Sequence, residues 1–234
     1  MDQYPSSRTP LPLAWRFLLP ALLVPLLGSL LYFVWLPGNA VAQLTYGATK
    51  VFTLVYPLCF VGWKELFTQR SRASWKQLVI SGFGSGLLIC AAGVLLMLSP
   101  VGEMVRAGAG PIQEKAELLG FAKHFLLFAV FISVFHSALE EYYWRGFVFG
   151  KLREKMGIGC SHIVAALAFA AHHLVVTWQF FPPVLAIFLA FCVAVGGLLW
   201  TLLYQKQGSL VGCWLSHLCV DVLLMVVGYQ LIMG

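Results

Sequence analysis

From Phe17 to Leu36 the chain runs about 20 residues without a charged side chain, long enough to cross the hydrocarbon of a bilayer as a helix. Six further apolar stretches follow, approximately Ala40–Trp63, Gln77–Leu98, Phe121–Gly150, Cys160–Phe181, Pro183–Tyr204 and Leu210–Met233. Over 234 residues there are only 15 Lys or Arg and 9 Asp or Glu. A soluble domain would carry roughly 25% charge. The pattern excludes an ordinary soluble enzyme, a disordered chain and a DNA-binding module, so no nucleic-acid partner is expected. The expected fold is all-α, a polytopic helical bundle of about seven transmembrane helices forming a single integral membrane domain over residues 1–234. The first run exceeds a signal-peptide core and reads as a retained span.

Basic residues set the expected orientation. Arg8, Arg16, Lys64, Arg70, Arg72, Lys76, Arg145, Lys151, Arg153, Lys155 and Lys206 fall on one side. Arg106, Lys115 and Lys123 fall on the other, and Lys50 lies inside the second span. Eleven against three places the N-terminus in the cytoplasm. Phe181-Pro182-Pro183 breaks the fifth span from the sixth, because proline cannot continue a helix. The connection from Val101 to Gly120 is expected to hold a short surface helix. Gly82-x-x-x-Gly86 and Ala166-x-x-x-Ala170 each set two small residues on one face, where helices can approach closely. The six cysteines form no CxxC pair and read as small buried hydrophobes.

Polar groups at membrane depth are costly, so their positions are informative. Asp2, Glu65, Glu103, Glu114, Glu117 and Glu154 fall in the N-terminal arm or in loops, whereas Glu140, Glu141 and Asp221 lie within spans, as do His136, His172, His173 and His217. At a rise of 1.5 Å per residue, Glu140, His173 and His217 lie about 15, 20 and 10 Å from the cytoplasmic ends of their helices. Three separate helices thus bring a carboxylate and two imidazoles to similar depth.

Spacing within each helix adds detail. Glu141 and Arg145 are four residues apart and can pair on one face, as can His217 and Asp221. Glu140 is rotated about 100° from Glu141, and His172 about 100° from His173, so one of the two histidines is expected to point inward. His136 stands one turn before Glu140, as a hydrogen-bond partner or as packing. Lys50 is expected to snorkel or to pair with a carboxylate.

A carboxylate drawn out of water takes a proton more readily, which suits general-base chemistry. One histidine can hold a water against that base, while another, beside Asp221, can stabilise the oxyanion formed when water attacks a carbonyl. The same groups can ligate zinc, although HExxH is absent; base and ligand stay open as roles for the glutamate. Neither Ser137 nor Ser216 is sited as a nucleophile by its spacing. A proton carrier built on Lys50 and the Glu/His cluster would be expected to show discontinuous helices and internal repeats, and no internal repeat is visible in the sequence.

Three motifs carry a family resemblance. Glu140-Glu141-Tyr142-Tyr143-Trp144-Arg145 reads as EExxxR, Phe169-Ala170-Ala171-His172-His173 as FxxxH, and His217-Leu218-Cys219-Val220-Asp221 as HxxxN/D. In this order on successive spans they resemble the CPBP family of intramembrane proteases, which includes the type II CAAX prenyl endopeptidases, over a catalytic core of about residues 121–225. The resemblance implies an endopeptidase acting on membrane-associated proteins or peptides within the lipid bilayer of a bacterial inner membrane, with no cofactor and no required metal. It implies that Glu140 activates water with His173 assisting, that His217 and Asp221 form the oxyanion site, and that Glu141 and Arg145 support the architecture. The prenyl endopeptidases end the third motif in Asn; Asp221 here must be protonated or paired with His217, which weighs against prenylated substrates in particular. The alternative is a non-catalytic membrane partner or immunity-type protein on the same scaffold.

Overall fold

A computed structural model describes residues 11–37, 39–61, 71–118 and 122–234. Arg8, Lys64, Glu65, Arg70, Phe121 and the far end of the second expected span at Trp63 lie outside them. The described residues are helical without a strand. In chain order the helices are α1 (Leu11–Leu30, extended by a wide π turn Leu31–Trp35), α2 (Ala40–Val55), α3 (Trp75–Met97), α4 (Pro100–Ala107), α5 (Ala109–Leu118), α6 (Ala122–Leu152), α7 (Ile158–Trp178), α8 (Pro183–Gln207) and α9 (Leu210–Met233). Six of them, α1, α3, α6, α7, α8 and α9, are long and apolar enough to cross a membrane. The protein is an integral multi-pass membrane protein.

The second expected span is where sequence and structure part. Its α-helix has 16 residues and stops at Val55, and it is not among the six helices above. The chain then tightens into a 3₁₀ turn, Tyr56–Cys59, around Pro57. Proline lacks the N–H that would continue the ladder, and its ring crowds the preceding turn. The Val101–Gly120 connection holds two short helices, α4 and α5, where one was expected.

Helix ends follow from local chemistry. Ser74 and Gln77 form a reciprocal capping box at the start of α3. Asn39, Ser99 and Ser209 accept backbone N–H groups at the starts of α2, α4 and α9. The chain leaves α7 after Trp178 and re-enters a helix at Pro183, the break expected at the proline pair. Gly208 adopts φ 65°, the left-handed conformation that ends α8.

The exterior is apolar, with Leu44, Leu88, Leu126 and Val184 largely exposed, while the charged Glu141 and Arg145 are fully buried. That inversion suits a lipid solvent. Both small-residue pairs lie at helix contacts. A Cβ added at Gly82 would stand 2.9 Å from the Gly212 carbonyl, and one at Gly86 would stand 2.8 Å from Cys219 Cβ, so α3 and α9 touch backbone to backbone. Ala166 of α7 faces Gly197 of α8, and Ala170 is buried.

Gly86→Val should therefore destabilise the bundle by about 1–3 kcal/mol, the usual cost of overpacking a tight contact. Thermal unfolding in detergent measures it, with the lipid-facing Leu88→Val as the control that should change little.

Candidate active site

The site is built on α6, which departs repeatedly from regular α geometry. Phe131–His136 and Glu141–Phe149 are wide π turns, with the four residues Ser137–Glu140 between them. Such widenings are rare and concentrate at functional sites. The indole N–H of Trp214 in α9 donates to the Val134 carbonyl on the first wide turn, at 3.0 Å. Every residue from Glu141 to Phe149 is buried, so this part of α6 is enclosed on all sides.

Each side chain of the Glu-Glu-Tyr-Tyr-Trp-Arg run has its own partner. Tyr142 donates to the Leu54 carbonyl of α2 at 3.0 Å, and Tyr143 to the Ala21 carbonyl of α1 at 2.7 Å. Trp144 lies parallel to the ring of His172, 5.6 Å away. Arg145 pairs with Glu141 at 2.9 Å, and its guanidinium lies against the rings of Phe169 (4.4 Å) and Trp200 (4.9 Å). One oxygen of Glu141, Oε1, also accepts from Nδ1 of His217 at 2.7 Å, while Oε2 is buried without a hydrogen-bond partner. The sequence paired Glu141 with Arg145 and missed His217.

Glu140 faces a different set of groups. Its Oε1 lies 3.5 Å from His172 Nε2 and 3.7 Å from His136 Nδ1, and its Oε2 lies 3.8 Å from His217 Nε2. These separations are electrostatic contacts rather than direct hydrogen bonds. His217 is clamped by a stacked Trp200 at 4.1 Å and lies 3.6 Å from Asp221 Oδ1 through the same Nε2. His173 donates from Nδ1 to its own helix at the Phe169 carbonyl, 2.9 Å away, which leaves Nε2 as an acceptor. Glu140, His173, His217 and Asp221 thus come together from α6, α7 and α9, with Glu141 and Arg145 directly behind them.

Both histidines of α7 belong to this cluster, where one was expected. Their ring centroids are 4.1 Å apart, and each offers a ligand atom within 4.8 Å of the other and of Glu140. The backbone positions diverge as the helix period dictates, but the rings fold over the same carboxylate. Two imidazoles and a carboxylate are a donor set that suits catalytic zinc. The serines are engaged elsewhere: Ser216 accepts from the Trp200 indole and from Ser85, both at 3.0 Å, and Ser137 donates to the Ser133 carbonyl.

Among the described residues Lys50 makes no ion pair with an acid. Its Nζ lies 2.9 Å from His136 Nε2, on the far side of that ring from Glu140. Lys50, His136 and Glu140 line one cleft of about 380 Å³, part of it open to the surroundings, bounded by Pro25 and Ser29 of α1, Thr49 of α2 and Trp144 of α6.

The family model described as Rce1-like, "Type II CAAX prenyl endopeptidase Rce1-like", matches residues 122–223. No curated protein and no solved structure matches the chain. The matched segment starts with α6 and ends two residues after Asp221 in α9.

The buried Glu141–Arg145 pair gives a direct test of the framework. Arg145→Met should cost about 3–5 kcal/mol, because it strips a fully buried carboxylate of its cation. Adding Glu141→Leu should restore part of that loss in the same thermal measurement.

Proposed function

We propose a function from one premise: over residues 122–223 the chain belongs to the CPBP family of intramembrane proteases, which includes the type II CAAX prenyl endopeptidases. On that premise the protein is an intramembrane endopeptidase that hydrolyses peptide bonds of membrane-associated proteins or peptides. The observation that carries the reading is the convergence on Glu140. Imidazole nitrogens of His136, His172 and His217, from three helices of an apolar bundle, surround its two oxygens at 3.5–3.8 Å.

In this mechanism Glu140 takes a proton from water as that water attacks the scissile carbonyl. His173, with Nδ1 committed to the Phe169 carbonyl, offers Nε2 to orient the same water. The attack places negative charge on the carbonyl oxygen, where Nε2 of His217, carrying a proton, donates to it. Nδ1 of His217 is already committed to Glu141, which fixes the ring, and Asp221 beside Nε2 balances the positive charge. Glu140 then returns its proton to the leaving amine, so the peptide bond is exchanged for a carboxylate and an amine. Zinc, if bound by Glu140, His172 and His173, would instead supply an activated water at neutral pH. The resemblance favours the glutamate as base. With α2 and its 3₁₀ turn, Ala40 to Cys59, taken as a seventh crossing, the eleven-to-three distribution of basic residues favours a cytoplasmic N-terminus and a site in the cytoplasmic half of the bilayer.

Reconstituted in proteoliposomes with a fluorescence-quenched farnesylated peptide and its unprenylated twin, Glu140→Gln should lower kcat/KM about 10²–10⁴-fold, the usual range for a lost general base. Equal activity of Glu140→Gln and wild type would sink the assignment. Activity that survives prolonged chelation supports the glutamate mechanism, and loss restored by zinc reverses it. With seven crossings a reporter fused after Gly234 should read out on the non-cytoplasmic side, whereas six crossings would leave it on the side of the N-terminus.

A further inference from the structure

Lys50 lies against the membrane-spanning helix α6, and its contacts are unusual for a cation. Among the described residues it makes no ion pair with a carboxylate, and besides the ring of Tyr46 at 5.1 Å its polar partner is His136 Nε2 at 2.9 Å. It comes from α2, outside the residues 122–223 that match the family. A lysine ammonium has three donors and no acceptor. His136 Nε2 must therefore present its lone pair to Lys50, and the ring proton must sit on Nδ1. Nδ1 is the atom that faces Glu140 Oε1, at 3.7 Å.

We propose that Lys50 is a positioning residue for Glu140, acting through His136: it fixes the imidazole as the Nδ1–H tautomer and so aims a permanent N–H dipole at Oε1. The arrangement makes the two carboxylate oxygens unequal. Oε1 faces the neutral N–H of His136 at 3.7 Å, whereas Oε2 faces His217 at 3.8 Å. Lys50 needs no contact with substrate in this role. The role rests on Glu140 being the base proposed above, but the tautomer itself does not.

Nitrogen-15 spectra of histidine-labelled protein in lipid nanodiscs test the tautomer without any substrate. The His136 signals are assigned by their loss in His136→Asn. Protonated Nδ1 with bare Nε2 is expected in the wild type, with a shift towards the Nε2–H form in Lys50→Met, a near-isosteric change that an apolar bundle should tolerate. Nε2–H in the wild type, or an unchanged tautomer in Lys50→Met, overturns the proposal. The cleavage assay then tests the positioning role. Lys50→Met and His136→Gln should each lower kcat about tenfold with KM held, the scale of one contact to a buried charge. His136→Asn, whose amide carries N–H at the δ position, and Lys50→Arg should recover most of that loss. Equal activities of His136→Gln and His136→Asn would overturn it. If Glu140→Gln proves silent while the tautomer follows Lys50, the protease assignment fails and the tautomer assignment stands.

Discussion

Much of the site's organisation rests on one oxygen atom. Oε1 of Glu141 meets Arg145 at 2.9 Å and His217 at 2.7 Å, in a region from which water is excluded. In lipid, a charge without such partners carries a prohibitive desolvation cost. The carboxylate therefore does two things at once. It neutralises an arginine packed against two aromatic rings, and it sets the orientation of an imidazole on a different helix. Through Arg145, whose NH2 reaches the Gly197 carbonyl at 3.5 Å, the same group connects α6 to α8 as well as to α9. Shifting any of these helices would strand a buried charge, so packing and site geometry are a single constraint.

Around that node adjacent residues face different ways, which on the proposed reading separates support from chemistry. Glu141 looks towards the packed interior, whereas Glu140 looks towards the cleft and four histidines. The aromatic side chains between the motif positions serve the same division. Tyr142 and Tyr143 tie α6 to α2 and α1, and Trp144 and Trp200 hold His172 and His217 by their faces. An enclosed helix with wide turns gives these bulky neighbours room that a regular α-helix would not.

The agreement in depth of Glu140, His173 and His217 was legible because rise per residue is fixed and lipid makes each polar group conspicuous. Pairing within one helix, as between Glu141 and Arg145, was legible for the same reason of period. What depends on the rotation of one helix against another was not. No spacing inside α9 could show that His217 would reach Glu141, nor could spacing inside α2 show that Lys50 would reach His136. The joint use of His172 and His173 was missed because a 100° backbone divergence was taken to separate rings that have the reach to converge. Nor could hydropathy, which continues past Pro57, show that α2 would change there from α to 3₁₀ geometry.

The cleft beside Glu140 has one more consequence. Its roughly 380 Å³, part of it open to the surroundings, is less than the volume of a single helical turn with side chains, about 10–12 Å across and 5.4 Å high. A membrane-embedded peptide is helical because lipid offers its backbone no other hydrogen-bond partners. On the proposed reading, a substrate must surrender several of those bonds before its carbonyl can meet the water. The ease with which a segment unwinds, set by its own glycines, prolines and β-branched residues, would then govern which proteins are cut as strongly as any side-chain preference of the pocket.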